Sequence, residues 1–251
     1  MKVTLLDYTG AHHPDVWHAA HLLIFTKNTR VKMTPNGLTE IANWDPVKKF
    51  AELEYMANTI RSSWEFVSYN FLLEDVTRSF THQLVRTRQA SYAQQTMQIL
   101  DVRGFAVEQP KLKTQAGLEA WEDAIHTSRL AYSEMIEAGE SVEDARGLLP
   151  HAIHTNIVVK MNLRTLVDLF HSRISPRNLG EFRNVATVMR DEVLRVHPWA
   201  KVFLDQTVDK VTAELDKMIQ EAEFIASVND PTGNERRIKM LKLVDQIRRG
   251  S

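Results

Sequence analysis

Residues Trp64–Asp75 read WEFVSYNFLLED. Val67, Tyr69, Phe71 and Leu73 alternate there with Ser68, Asn70 and Leu72, the period of two that a half-buried strand requires. The residues that follow, VTRSFTHQLVRTRQ (Val76–Gln89), change period: Val76, Phe80, Leu84 and Thr87 fall on one side of a helix that runs out near Ala90. A strand feeding straight into a helix, among longer helical stretches, predicts an α+β fold that is mainly helical with a small antiparallel sheet.

Outward from this centre the chain punctuates itself. KVTLLDYTG near the N-terminus reads as an opening strand closed by a glycine turn. In PDVWHAAHLLIFTKN, Pro14 is placed at a helix start, and TRVKMTPNGLTEIANW reads as loop with Pro35-Asn36-Gly37 as its turn signal. DPVKKFAELEYMANTIRSS predicts an amphipathic helix with Asp45 as cap, Pro46 at its first position, and Phe50, Leu53, Met56 and Ile60 on one face. Residues 99–113 carry short strand-like pieces. Thr114 to Gly139 is helical, with Gly139 as its stop, and SVEDARGLLP opens on a Ser141…Asp144 cap. HTNIVVKMNLRTLVDLFHSRIS is strand-like at Ile157–Val159 and helical from about Asn162. Two further helices and a basic one at about 235–250 (Arg236, Arg237, Lys239, Lys242, Arg248, Arg249) complete the count. No repeat or linker interrupts residues 1–251, which predicts a single domain. The basic helix reads as a solvated or interfacial surface, with nucleic-acid binding as the alternative.

Composition bounds the chemistry. The chain has 251 residues, 43% apolar and 25% charged, with a formal net charge of −1, so any anion site has to come from local clustering rather than a global field. With no cysteine, a disulfide framework, thiolate metal sites and cysteine nucleophiles are excluded. The N-terminus lacks the pattern of a signal peptide and no apolar run approaches the ~18–20 residues of a membrane span, which predicts a soluble, cytoplasmic protein. Glycine-rich nucleotide loops and nucleophile elbows are absent. His18 and His21 stand three apart, where they could share a helix face, but no matching carboxylate motif accompanies them, and no metal is assigned.

Arginine is the informative residue type. Arg86 and Arg88 lie in FTHQLVRTRQASYAQQTMQ (Phe80–Gln98), beside five glutamines and no acid. Arg146, Arg164 and Arg173 follow, the last two set among apolar residues. A guanidinium so placed needs a carboxylate or a phosphate held in its planar fork. Internal ion pairs would satisfy these arginines, although the acids near them in sequence are few.

The motifs resemble, in order and spacing, those of the flavin-dependent thymidylate synthases. That family's mark is Arg-His-Arg followed after seven residues by Ser, with Gln or Glu three positions upstream; here stand Gln83, Arg86-Thr87-Arg88 and Thr96, with Ser91 where the family has a serine. ARGLLP resembles the family's AR-x-x-LP, NLRTLVDLFHSR its Asn-x-Arg…Arg helix, and SSWEFVSYNF its glutamate-containing strand entry. Register is kept from about Ser62 to Leu204. The resemblance implies a homotetramer with FAD between subunits, methylenetetrahydrofolate as one-carbon donor, NADPH as reductant and a deoxypyrimidine monophosphate as acceptor at C5. It implies flavin contacts at Glu65, Arg86, Thr87, Arg88, Asn162 and Arg164, and nucleotide contacts at Gln83, Gln94, Thr96, Arg146 and Arg173. Arg173 would grip the O2/N3 edge and stabilise negative charge in the ring, while Arg146 would hold the phosphate.

The departures matter as much. Thr87 replaces the family's central histidine, and Phe66 its strand-entry histidine. Gln94, Thr96, Gln98 and Ile99 stand for an acid, Ser, Arg and Tyr. Asp168 occupies a position usually neutral in the family; as an acceptor it would suit the 4-amino group of cytosine and repel uracil O4. If it faces the base it favours dCMP, and a methylene to which reduced flavin delivers no hydride would be trapped by water as hydroxymethyl. The departures lean to hydroxymethylation of dCMP, with dUMP to dTMP as the runner-up. Asp168 facing the flavin or pairing with an arginine such as Arg164 is the alternative placement. A homologue that only binds nucleotide or nucleic acid is the third reading.

Overall fold

The computed structural model describes residues 1–29, 33–99, 101–174 and 180–205. The basic helix expected at 235–250 lies outside the described residues. Met1–Val202 forms one compact unit; of a second, Phe203–Ser251, residues Phe203–Asp205 are described.

Four strands, β1 (Lys2–Tyr8), β2 (Ser68–Thr77), β3 (Ala90–Gln94) and β4 (His154–Asn162), form one antiparallel sheet in the order β1-β2-β4-β3. Around it run the helices α1 (His18–Lys27), α2 (Pro35–Ala42), α3 (Pro46–Thr59), α4 (Arg78–Leu84), α5 (Gln115–Glu137), α6 (Val142–Ala145), α7 (Leu163–Arg173) and α8 (Glu181–Val196), with a short last turn, α9 (Lys201–Leu204). The expected α+β architecture, mainly helical with a small antiparallel sheet, is what the described residues form.

The alternation in WEFVSYNFLLED is the core. Val67, Tyr69, Phe71 and Leu73 are fully buried, and from the paired strand β4 so are Ile157, Val159 and Met161. Each such side chain contributes roughly 1.5–3 kcal/mol on leaving water. α8 lays Val185, Ala186, Met189 and Val193 toward the sheet, packing against β1, β2 and α7. The alternation breaks near Asp75, whose φ of +53° marks a bulge between Leu73 and Val76; its N–H donates to Asn156 Oδ1 at 3.0 Å.

Local rules hold where the cap residues are strong. Asp45 caps α3 by accepting from the Lys48 N–H, Thr114 caps α5, Ser141 caps α6 and Asn162 caps α7, while Gly139 takes the left-handed conformation after α5.

Four expectations fail. Pro14 does not start α1, which begins at His18 after the Asp15 carboxylate has taken up the Trp17 N–H in a turn. Pro35-Asn36-Gly37 opens α2 instead of a turn, with Pro35 at the first helical position, where its missing N–H costs nothing. On α3 Phe50 is 42% exposed, its ring edge-on to Trp17, and Lys49 is buried in its place with Nζ donating to the Ala42 carbonyl. The helix after β2 stops at Leu84 and Ala90–Gln94 is a strand: pairing with β4 outweighs the local helical period. Of the strand-like pieces at 99–113, an isolated bridge between Val107 and Ile153 is present among the described residues.

Candidate active site

The polar residues singled out in the sequence fall into two groups at opposite ends of β4. The first surrounds its C-terminal end. Asn162 ends the strand and caps α7, its Oδ1 accepting from the Thr165 N–H at 2.8 Å. Two residues on, Arg164 Nη1 donates to Glu65 Oε1 at 2.6 Å from the 3₁₀ turn Ser62–Phe66 that leads into β2. One helical turn after Arg164, Asp168 pairs with Arg61; these two side chains are 57% and 46% exposed. Neither Arg61 nor this pairing was visible in the sequence, because 107 residues separate the partners. The same end receives the turn after α4. Thr165 Oγ1 donates to the carbonyl of Gln89, itself at φ +62°, just before β3 begins. Arg86 and Arg88 are exposed in that turn, and among the described residues neither forms an ion pair. Gln83 belongs here too: its carbonyl accepts from the Arg86 N–H.

The turn is held from inside. The Tyr92 hydroxyl lies 2.9 Å from the Leu84 carbonyl and 2.8 Å from that of Thr87, so α4 and the following turn are clamped along β3. Burial pushes the Tyr92 phenol above its ordinary pKa, which keeps it a protonated donor.

The second group sits at the N-terminal end of β4. Gln94, the last residue of β3, donates from Nε2 to Thr81 Oγ1 at 2.9 Å. Thr96 accepts the Gln98 N–H, and Gln98 Nε2 donates to Glu143 Oε1 at 2.9 Å. Arg146 reaches the same glutamate, with Nε on its backbone carbonyl at 3.1 Å and Nη2 on Oε1 at 3.4 Å. Arg173 closes the far end of α7 with its guanidinium 4.5 Å from the centre of the Phe182 ring, and Phe182 meets Phe80 edge-on. Glu181 ties this corner to β2, accepting from the Thr77 N–H at 2.8 Å and from its hydroxyl at 2.6 Å.

The register Ala90↔Met161 and Gln94↔Ile157 sets the groups toward opposite ends of β4, with Gln94 the nearest approach: it meets Thr81, two residues before Gln83. At ~3.3 Å per residue, the four steps from Ala90 to Gln94 span roughly 13 Å. A cavity of about 760 Å³ lined by Glu108, Lys111, Glu181 and Arg183 among others contains none of the residues expected from the sequence to bind cofactor or nucleotide. Among the described residues no group of three or more His, Asp or Glu is arranged to hold a metal; His21 is buried with Nδ1 3.5 Å from Asp15, and His18 stacks on His13.

Residues 4–199 match the family model described as Thymidylate synthase complementing protein. The chain belongs to the flavin-dependent thymidylate synthase family. It is 33% identical over 219 residues to the flavin-dependent thymidylate synthase of Clostridium tetani, covering 79% of this chain and 84% of that one. It is 31% identical over 205 residues to that of Geobacter sulfurreducens, with the same coverage of each. To that of Pyrococcus furiosus it is 36% identical over 150 residues, 55% of this chain and 62% of that one.

Within the thymidylate synthase fold the departures from the signature acquire places. Gln94 and Gln98 both turn toward protein partners, Thr81 and Glu143. Thr87 supplies a carbonyl to Tyr92 from within the turn. Phe66, at the strand entry, is exposed. Among the described residues no helix is long and apolar enough to cross a membrane.

Proposed function

We propose that this chain transfers one carbon from methylenetetrahydrofolate to C5 of dUMP to give dTMP, with FAD as cofactor and NADPH as reductant, in a homotetramer whose sites lie between copies. The observation that carries this reading is the segregation of the two polar groups to opposite ends of β4. In this reading a flavin held at one end of one chain meets the nucleotide held at the other end of a neighbour. A second copy, reversed, brings the Gln94, Thr96, Arg146 and Arg173 group of one chain to the Gln83, Arg86, Arg88 and Arg164 group of its neighbour.

The residues fit the groups they would hold. Arg86 and Arg88, exposed and without ion-pair partners among the described residues, suit the diphosphate of FAD, with Thr87 between them. Asn162, Arg164 and Glu65 form a preset polar edge beside it. When bound, reduced flavin supplies the hydride that turns the transferred methylene into methyl. In this reading Arg146 binds the nucleotide phosphate. Arg173, held against Phe182, donates to the pyrimidine O2/N3 edge and stabilises the negative charge that makes C5 a nucleophile.

Asp168 bears on the base. Five residues separate it from Arg173, which at ~100° per residue places the two about 140° apart around α7. Asp168 thus shares a face with Arg164, and Arg61 engages its Oδ1. A carboxylate so occupied supports a role in ordering the flavin side rather than in accepting a cytosine 4-amino group, and dUMP is the acceptor adopted here. The test is to incubate the protein with FAD, NADPH, methylenetetrahydrofolate and either dUMP or dCMP, and to weigh the products. dTMP from dUMP is expected. Hydroxymethyl-dCMP as sole product would overturn the choice of base, and colourless protein that cannot be reconstituted with FAD would overturn the enzyme itself.

A further inference from the structure

Arg78, the first residue of α4, was no candidate in the sequence. Its backbone is fixed against the segment that follows Arg146: the Arg78 N–H donates to the Ile153 carbonyl and the Ser79 N–H to that of His151, both at 3.0 Å. Its side chain is half-buried, and Nε points at Met97 Sδ, 3.4 Å away. A thioether is a weak, uncharged acceptor that leaves a guanidinium's charge uncompensated. Among the described residues no carboxylate pairs with Arg78. Its neighbour in charge is another cation: burial first, and the positive field of Arg146 second, both push the Arg78 pKa below its ordinary value.

Glu143 is the carboxylate that meets Arg146, at 3.4 Å, and it also accepts from the neutral Gln98 at 2.9 Å. Met97 and Gln98 are adjacent in sequence, so Arg78 approaches this segment at one residue while Glu143, carrying Arg146, approaches it at the next. Arg146 thus holds the Glu143 carboxylate, while Arg78 meets a thioether. Such an arrangement is relieved by a dianion with several acceptor oxygens, and a phosphate monoester is the anion that two planar forks bind best.

We propose that Arg78 is a second phosphate-binding guanidinium, acting with Arg146 beside the Met97–Gln98 segment on the 5′-phosphate of the nucleotide. The proposal rests on the nucleotide site described above and adds to it a residue that the motifs do not contain.

Equilibrium titration of the FAD-loaded protein with dUMP and with deoxyuridine tests it, because binding is read without turnover. Arg78→Met is expected to weaken dUMP about 10- to 100-fold, the size of one lost charge-assisted hydrogen-bond set. Deoxyuridine, which lacks the phosphate, is expected to bind both proteins equally. Arg78→Lys keeps the charge without the fork and is expected to fall between them, and it serves where the methionine variant does not fold. Arg103→Met, which removes an exposed guanidinium paired with Asp101, controls for net charge and is expected to leave dUMP binding unchanged. Unchanged dUMP affinity in both Arg78 variants overturns the proposal, as does an equal loss for dUMP and deoxyuridine, or a wild-type protein that does not bind dUMP. A protein that binds dUMP through Arg78 yet yields no dTMP would refute the proposed reaction and leave this inference standing.

Discussion

Glu65 and Arg164, 99 residues apart in the chain, meet at 2.6 Å where β2 begins and β4 ends. The contact joins the strand entry to the cap region of α7 and fixes the direction of a guanidinium at the proposed flavin edge. Both side chains are more than a third exposed, 41% and 36%, so water screens the pair. Glu65→Gln is therefore expected to cost less than about 1 kcal/mol of stability in urea denaturation. The same change is expected to raise the dissociation constant for FAD several-fold in a fluorescence titration. A variant with unaltered FAD affinity would remove Glu65 from the flavin site.

Asp168 and Arg61 give a second, sharper case. Asp168→Asn keeps the shape and removes the charge from an exposed pair, so the melting temperature is expected to stay within a few degrees of the parent. The ratio of dUMP to dCMP conversion is expected to be unchanged. A shift of that ratio toward dUMP would show that the carboxylate reads the base.

Thr77 links three elements. Its hydroxyl accepts from the Phe80 N–H at 3.0 Å to cap α4 and donates to Glu181 at the start of α8. It is buried, so Thr77→Ala removes a cap and leaves the Glu181 carboxylate with one fewer donor. A loss of about 1–3 kcal/mol is expected from these two effects, read as a lower urea midpoint with unchanged slope. Thr77→Ser, which keeps the oxygen, is expected to recover most of it.

His197 sets an acid limit on stability. It is buried beside Tyr8, Tyr69 and Trp199, with Nδ1 2.9 Å from the Tyr69 hydroxyl, and burial pushes its pKa down to about 4. Burial also pushes the Tyr69 pKa up, so the phenol remains the donor of that bond. The unfolded chain, with an ordinary histidine near ~6.5, binds the proton first as pH falls. Stability is thus complete above about pH 6.5 and is lost progressively toward pH 4, by about 3 kcal/mol for a shift of this size. His197→Gln is expected to flatten that slope in urea titrations between pH 4 and 6.5, while lowering stability at pH 7. An unchanged slope would assign the acid sensitivity to other groups, such as His21, whose pKa burial also lowers.

The sequence by itself determined much of this protein. The alternation from Val67 to Leu73, the caps at Asp45, Thr114, Ser141 and Asn162, and the stop at Gly139 are local preferences that the fold honours, because each is decided within a few residues. The spaced arginines from Arg86 to Arg173 marked the family. Tertiary structure decided the rest. Ala90–Gln94 became a strand because β4 offered it a ladder, and Lys49 went inside because the Ala42 carbonyl received its ammonium. Which cations find carboxylates is equally non-local: Arg164 takes Glu65 and Arg61 takes Asp168, whereas among the described residues Arg78 meets a thioether and the field of Arg146. Charge balance is a property of space, and pairing across about a hundred residues leaves no periodic trace along the chain.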